Sequence, residues 1–277
     1  LGQASDVDGI AILEDLLDAT PSPGESVAAS LGLDDTVLEL AITANRPDGL
    51  SMTGIAREVA ALTGATLSLP EAKAPASTHS LDTDQKSAVA MQAGGLYALT
   101  EVKGVAGASR SPQWLQRRLT RAGVNPVNAV VDITNLVMLE QGQPLHAFDA
   151  DALETLCGAK ISASDFGLRQ AHEREIFRGL DGREIELDQR VQVVTCRDHA
   201  VAVAGVMGSA ESGVTESTRR IWLESALFTP ASVRNGSRAT GQRTDASSRY
   251  EKGLPSEIPL LAAGRALSLF SEMLNAE

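Results

Sequence analysis

Residues 134–149, TNLVMLEQGQPLHAFD, set a hydroxyl, an amide, an imidazole and a carboxylate (Thr134, Asn135, His146, Asp149) into an otherwise apolar stretch, with Pro144 among them. Burying a polar group without a partner costs free energy, so this density of polar types reads as a pocket cut into a core. His146 is one of four histidines in the chain and stands inside an apolar run. Imidazole titrates near neutral pH, so it could accept a proton from water or hydrogen-bond a hydroxyl. The competing reading is a core histidine satisfied by its neighbours. Pro126 and Pro144 fix the backbone on either side.

Three further segments carry candidate groups. Ala204-Gly205-Val206-Met207-Gly208 has no side chain for chemistry; its glycines suit either close backbone approach to a ligand or a tight turn. Glu224 ends the apolar run Arg220-Ile221-Trp222-Leu223 and is either a solvated strand end or a buried carboxylate with a partner. Thr244 and Ala246 follow Gly241, and the Thr244 hydroxyl could donate to a ligand, position water or close a turn.

Other hydrolytic chemistries fit less well. Asp132, Asp149, His146 and several serines supply the types for a Ser-His-Asp triad, but no Gly-x-Ser-x-Gly elbow occurs. Neither His-x-His nor His-Glu-x-x-His occurs, and Asp149 is only three residues from His146, so no metal site is expected. Cys157 and Cys196 are too few and too far apart to suggest a disulfide framework or a zinc site. No phosphate loop appears. Direct attack by water remains, helped by groups of the substrate itself.

The elements that must position these groups are partly marked. Alternation predicts a strand over 36–42, Asn45-Arg46-Pro47-Asp48 a turn, and Ser51 the cap of a helix over 52–62 that Gly64 closes. Residues 65–90, rich in Pro, Ala, Ser and Thr, read as a linker. A strand over 96–105 follows. Ser111 and Pro112 are expected to cap and open a helix closed by Gly123, with Trp114, Leu115 and Leu119 on one face. Asn128 caps a second helix that Gly142 closes. Short strands are predicted over 160–163, 173–177, 184–187, 191–196, 200–206 and 220–224, with Leu180-Asp181-Gly182 turning a hairpin. Helices over 230–240 and 256–274 complete an α+β class: mixed sheets with hairpins and flanking helices, preceded by a small partial helical domain. The division is 1–35, an acidic remnant of a preceding domain; 36–65, part of a helical domain; 66–90, linker; and 91–277, a compact module.

Composition narrows the class. With 43% hydrophobic and 3% aromatic residues the core is aliphatic. No run approaches the roughly 18 apolar residues of a membrane span, which predicts a soluble cytoplasmic protein. A net charge of −12, with no basic residue before Arg46, argues against a general nucleic-acid or DNA binder. RNA contact would be local, at clusters such as Arg117-Arg118-Arg121, Arg219-Arg220 or Arg234-Arg238-Arg243, which otherwise read as solvated faces. Beginning with Leu rather than Met, the sequence reads as a piece of something longer.

The segments 134–149, Ala204–Gly208, Leu223-Glu224-Ser225-Ala226 and Arg243-Thr244-Asp245-Ala246-Ser247 together resemble the editing module of the bacterial phenylalanyl-tRNA synthetase beta subunit. The order and separations agree with that family, and Asn45-Arg46-Pro47-Asp48 with its helix is typical of it too. The resemblance implies a module that hydrolyses tyrosine misattached to phenylalanine tRNA. It implies catalytic roles for His146 and Thr244, and substrate contacts from Thr134, Asn135, Pro144, Ala204, Gly205, Glu224 and Ala246. Glu224 would accept a hydrogen bond from the tyrosine phenol. It further implies an alpha subunit carrying ATP- and magnesium-dependent aminoacylation in a heterotetramer, with no cofactor in this fragment. Two departures touch the tRNA end: Asn125 stands where the family usually has Arg, and Gly94-Gly95-Leu96-Tyr97 stands where relatives often read Cys-Pro-Arg-Tyr. The alternative is a non-catalytic scaffold or tRNA-positioning piece of the same subunit.

Overall fold

The computed structural model of the protein describes residues 13, 17, 20–70 and 97–276. Most of the expected linker, Leu96 and the first part of the acidic start therefore lie outside the described residues.

The central element is an antiparallel three-stranded sheet of order β1-β9-β2, made of Tyr97–Lys103 (β1), Leu145–Asp149 (β2) and Arg220–Ala226 (β9). Side chains alternate across a strand, and β9 is buried almost throughout. Trp222 and Ala226 join Leu99 and Phe148 in one core, while Ile221 and Leu223 join Val102 and Ala147 in the other. The sheet is a partition between two apolar layers.

Helices fill the second of these layers. Gln113–Arg121 (α2), Ala129–Gln141 (α3) and Ile258–Leu274 (α7) bring in Leu115, Leu119, Ile133, Val137, Leu269 and Phe270. The Asn128 side chain accepts from Val131 N at 3.0 Å, and Gly142 closes α3 in the left-handed region at φ 84°. Both caps are as predicted. The cap of α2 is not. Pro112 is its N-cap, and the Ser111 hydroxyl donates instead to buried Asp132 at 2.7 Å. Asp132 also accepts from Val127 N, so it ties the α2–α3 loop. Trp114 is 44% exposed under Arg118. It leaves the Leu115–Leu119 face because the four-residue spacing pairs it with Arg118 instead.

The other layer is walled by a four-stranded sheet of order β3-β6-β7-β8, from Phe166–Gln170 (β3), Gln192–Cys196 (β6), His199–Val203 (β7) and Met207–Gly208 (β8). Glu175–Arg178 (β4) and Glu184–Leu187 (β5) form the expected hairpin, with Gly182 at φ 79°. Ala150–Cys157 (α4), Pro230–Thr240 (α5) and Asp245–Lys252 (α6) surround it. All the strand pairs are antiparallel, and the class is α+β. Among the described residues no helix is long and apolar enough to cross a membrane.

Before the module, Met52–Thr63 (α1) has the predicted Ser51 cap and a left-handed Gly64. Residues 36–42 are not a strand. Val37 and Leu38 are 62% and 76% exposed, and an alternating segment without a partner strand has no ladder to join. Residues 160–163 are likewise no strand; β3 begins at Phe166, after the short 3-10 turn Ala163–Asp165.

The two cysteines are both free thiols. They are 39 residues apart in sequence, yet Cys157 Sγ lies 3.5 Å from Cys196 Sγ where α4 meets β6. Diamide should therefore join them, the two thiols losing two hydrogens and two electrons to the azo reagent. Intact mass should fall by about 2 Da. Closing a loop of this length adds roughly 4 kcal/mol in the chain-entropy account. Two titratable thiols surviving treatment of the folded protein would refute the juxtaposition.

Candidate functional site

Strand pairing assembles a row that no sequence spacing shows. Leu99 on β1, Glu224 on β9 and His146 on β2 are register partners across the sheet. Directly opposed residues project to the same face, here toward the core that holds Phe148 and Trp222. Glu224 and His146 therefore share one face of the sheet.

Glu224 is 6% exposed. Its Oε2 accepts a hydrogen bond from the Tyr97 hydroxyl at 2.7 Å. Burial pushes its carboxyl up to about 7, the Tyr97 bond pulling the other way. Around neutral pH the group is thus divided between its two forms. The phenols of Tyr97 and Tyr250 are both raised by burial and by the Glu224 charge. Tyr250 donates to Ala226 O at 3.0 Å, and Gln143 Nε2 donates to the same carbonyl at 2.8 Å and to Pro144 O at 2.9 Å.

His146 meets the edge of Phe148 at 4.5 Å between ring centroids. Part of the residue is exposed, but Nε2 is sealed and has no hydrogen-bond partner. Burial pushes the imidazole down to about 4, so it is neutral above pH 5. A base that weak takes few protons from water near pH 7. A neutral donor or acceptor aimed at a ligand fits better than a proton acceptor.

The turn Ala204–Gly208 faces this row. A Cβ on Gly208 would stand 2.5 Å from His146 Cε1 and Nε2. Gly205 has φ +70°, and a Cβ there would come within 2.8 Å of Val233 and 3.0 Å of Tyr250. Both glycines are needed for close approach. Gly208→Ala should push the imidazole out of its place, lower stability by about 1–3 kcal/mol and shift the His146 ring resonances. Unmoved resonances in a normally stable variant would show that the turn does not seat the ring.

Thr244 caps α6. Its hydroxyl donates to Val206 O at 3.0 Å and accepts from Ser247 N at 3.0 Å. It therefore holds the turn against α6, and Ala246 packs beside it on the core. Ala204 and Pro144 are buried, and Pro144 O accepts from Gln143 Nε2 and from the Tyr250 hydroxyl.

The remaining candidates are placed differently. Thr134 is buried on α3 with its hydroxyl donating to Val131 O in its own helix. Asn135 is half-buried on the same helix. Among the described residues no hydrogen bond or ring contact joins either to the row. Asp149 belongs to the opposite face by alternation. It caps α4 by accepting from Ala152 N at 2.9 Å and takes a further bond from the Thr218 hydroxyl. Tyr97, Gln143 and Tyr250 are contributors that residue types and spacing do not mark. One signal exists: Tyr97 and Tyr250 are the chain's only tyrosines, and both flank Glu224.

Beyond α5 a cavity of about 430 Å³ is lined by Arg234, Arg238, Arg243, Ser237, Gln242 and Glu251. Arg238 and Arg243 make no ion pair among the described residues, and Arg234 reaches Glu251 only at 3.9 Å. Arg243 adjoins Thr244, so this cationic hollow begins one residue from the turn-holding hydroxyl.

The signature of the B3/4 domain family matches residues 93–275. Over its whole length the chain is similar to the phenylalanine-tRNA ligase beta subunit of Parasynechococcus marenigrum (strain WH8102). The identity is 62% over 100% of this chain and 34% of that one. That of Prochlorococcus marinus (strain MIT 9313) is 60% identical over 99% of this chain and 34% of its own length. The chain thus spans about a third of these relatives. A crystal structure of an N-terminal fragment of the phenylalanyl-tRNA synthetase beta subunit from Pyrococcus horikoshii aligns at 17% identity. It covers 76% of this chain and 65% of that one, with a TM-score of 0.34.

Proposed function

We propose, since this chain belongs to the B3/4 domain family and matches phenylalanine-tRNA ligase beta subunits from end to end, that it is the proofreading part of such a subunit. Its reaction is hydrolysis of the ester joining tyrosine to the terminal ribose of phenylalanine tRNA. Water adds to the ester carbonyl, the tetrahedral adduct collapses, and the ribose oxygen leaves with a proton; tyrosine and free tRNA result. The observation that carries the reading is the Glu224–His146 row facing Ala204–Gly208, in which Glu224 already holds a phenol at 2.7 Å.

In this account Glu224 accepts from the tyrosine hydroxyl. Ala204, Gly205, Pro144 and Ala246 shape the walls, and Thr134 and Asn135 border the site from α3. His146, neutral and with an unpaired Nε2, hydrogen-bonds the ribose hydroxyl or orders the water. Thr244 acts through Val206, holding the turn at the distance the substrate needs. Aminoacylation with ATP and magnesium belongs to an alpha subunit in the cytoplasmic heterotetramer.

The arginine-lined cavity beside Thr244 supplies the second half of the substrate, the RNA end. Phosphate contacts come from Lys and Arg, and in a chain of net charge −12 two unpaired arginines in one hollow are a local exception. Arg238→Gln with Arg243→Gln should weaken binding of a short single-stranded RNA. The slope of log K against log salt should fall by about 1.4, near 0.7 for each phosphate that is no longer held. An unchanged slope would remove this cavity from the RNA path.

Deacylation of tyrosyl- and phenylalanyl-tRNA by this chain tests the whole reading. Faster release of tyrosine than of phenylalanine is expected. Binding of tRNA without release of either would instead support a positioning role, for which the arginine cavity alone suffices.

A further inference from the structure

We infer that the Tyr97 phenol is a resident occupant of the phenol position on Glu224, displaced when a substrate phenol arrives. The inference rests on the reading that Glu224 recognises a phenol. The bond from Tyr97 to Glu224 Oε2 at 2.7 Å is the same donor, acceptor and geometry that a tyrosine substrate would use. Glu224 is 6% exposed with that ring against it, so a second phenol reaches the carboxylate by taking the ring's place.

The strand architecture makes the exchange local. Tyr97 is the first residue of β1, and among the described residues β1 is an edge strand, paired only to β9. Swinging the ring out opens the terminal pair Tyr97–Ala226 and leaves Leu99 opposite Glu224. A resident phenol also keeps the buried carboxylate from standing unpaired between substrates, a state that low-dielectric surroundings penalise heavily. Entry of tyrosine then exchanges one charge-assisted bond for another. Phenylalanine offers no bond in exchange, so Tyr97 retains the site against it. Selectivity thus arises from competition as well as from contact.

Removing the competitor's hydroxyl tests this. Tyr97→Phe keeps the ring but not the bond, so p-cresol should bind the variant about tenfold more tightly than the parent chain. Toluene, which has the same shape without the hydroxyl, should bind both alike. Binding is read by NMR or calorimetric titration. Equal or weaker binding of p-cresol to the variant, no binding of p-cresol to either protein, or an equal gain for toluene would each overturn displacement. Hydrolysis of tyrosyl-tRNA is assayed separately. Its failure alongside the expected p-cresol pattern would remove the reaction and leave Tyr97 as the resident phenol.

Discussion

Glu224→Ala is expected to collapse discrimination between tyrosine and phenylalanine at the ester-hydrolysis step. A carboxylate fixed in an apolar site gains a charge-assisted hydrogen bond from a phenol and is left desolvated beside a ring that has none. Sites built around a substrate hydroxyl reject the analogue lacking it by up to roughly 10⁴-fold. Glu224 is buried and already bonded to a phenol, the arrangement that such discrimination requires. The variant should release both amino acids at comparable kcat/KM, with tyrosine the one that loses. Truncation also strands the Tyr97 hydroxyl, at about 1–3 kcal/mol of stability, so melting must be followed in parallel. Full tyrosine preference in a folded variant would reduce Glu224 to a structural carboxylate.

The second large effect is on the pH dependence of folding. Burial raises the Glu224 carboxyl from 4.5 to about 7, so the folded chain binds this proton where the unfolded chain has released it. That contribution to stability is present below pH 4.5 and falls away as pH rises to 7. His146, lowered from 6.5 to about 4, does the reverse: its contribution is complete above pH 6.5 and is lost as pH falls to 4. Each slope is about 1.4 kcal/mol per pH unit. The two oppose each other between pH 4.5 and 6.5, leaving wild-type stability nearly level there as far as this pair is concerned. Glu224→Gln removes one slope. Its stability should climb steadily from pH 4 to 6.5 and exceed the parent's by about 3 kcal/mol at pH 8. Chemical denaturation across that range decides it; parallel curves for the two proteins would show that Glu224 does not titrate as placed, and a flat curve for the variant below pH 6.5 that His146 does not.

Local features are legible where local physics decides them. Ser51, Asn128 and Gly142 act at the helix ends they mark, because a cap is a contact within one turn. Pro230–Thr240 and Glu184–Leu187 fall where predicted. Leu145–Asp149 does not read as a strand; His146 and Asp149 interrupt its apolar character, and only pairing with β9 makes it one. Asp245–Lys252, sequence DASSRYEK, carries almost no apolar period, since what it buries are Ser247, Arg249 and Tyr250. For the site, residue types and segments are readable, but the partners are not. That Glu224 meets Tyr97, 127 positions away, depends on a register no local pattern encodes. Thr134 and Asp149 show the converse, as polar groups near the site in sequence whose bonds serve their own helices.

The partition sheet has a kinetic meaning. Its middle strand is the last of the three to leave the ribosome, and it pairs Ala226 with Tyr97 and Ser225 with Leu145. Until β9 arrives, β1 and β2 have nothing between them and neither apolar layer has a floor. Contacts of such sequence separation close slowly, because the loop entropy is lost before the pairing is gained. The nascent chain therefore carries Tyr97 and His146 as separate, unassociated groups until β9 has been made, and the Glu224–His146 row forms only then.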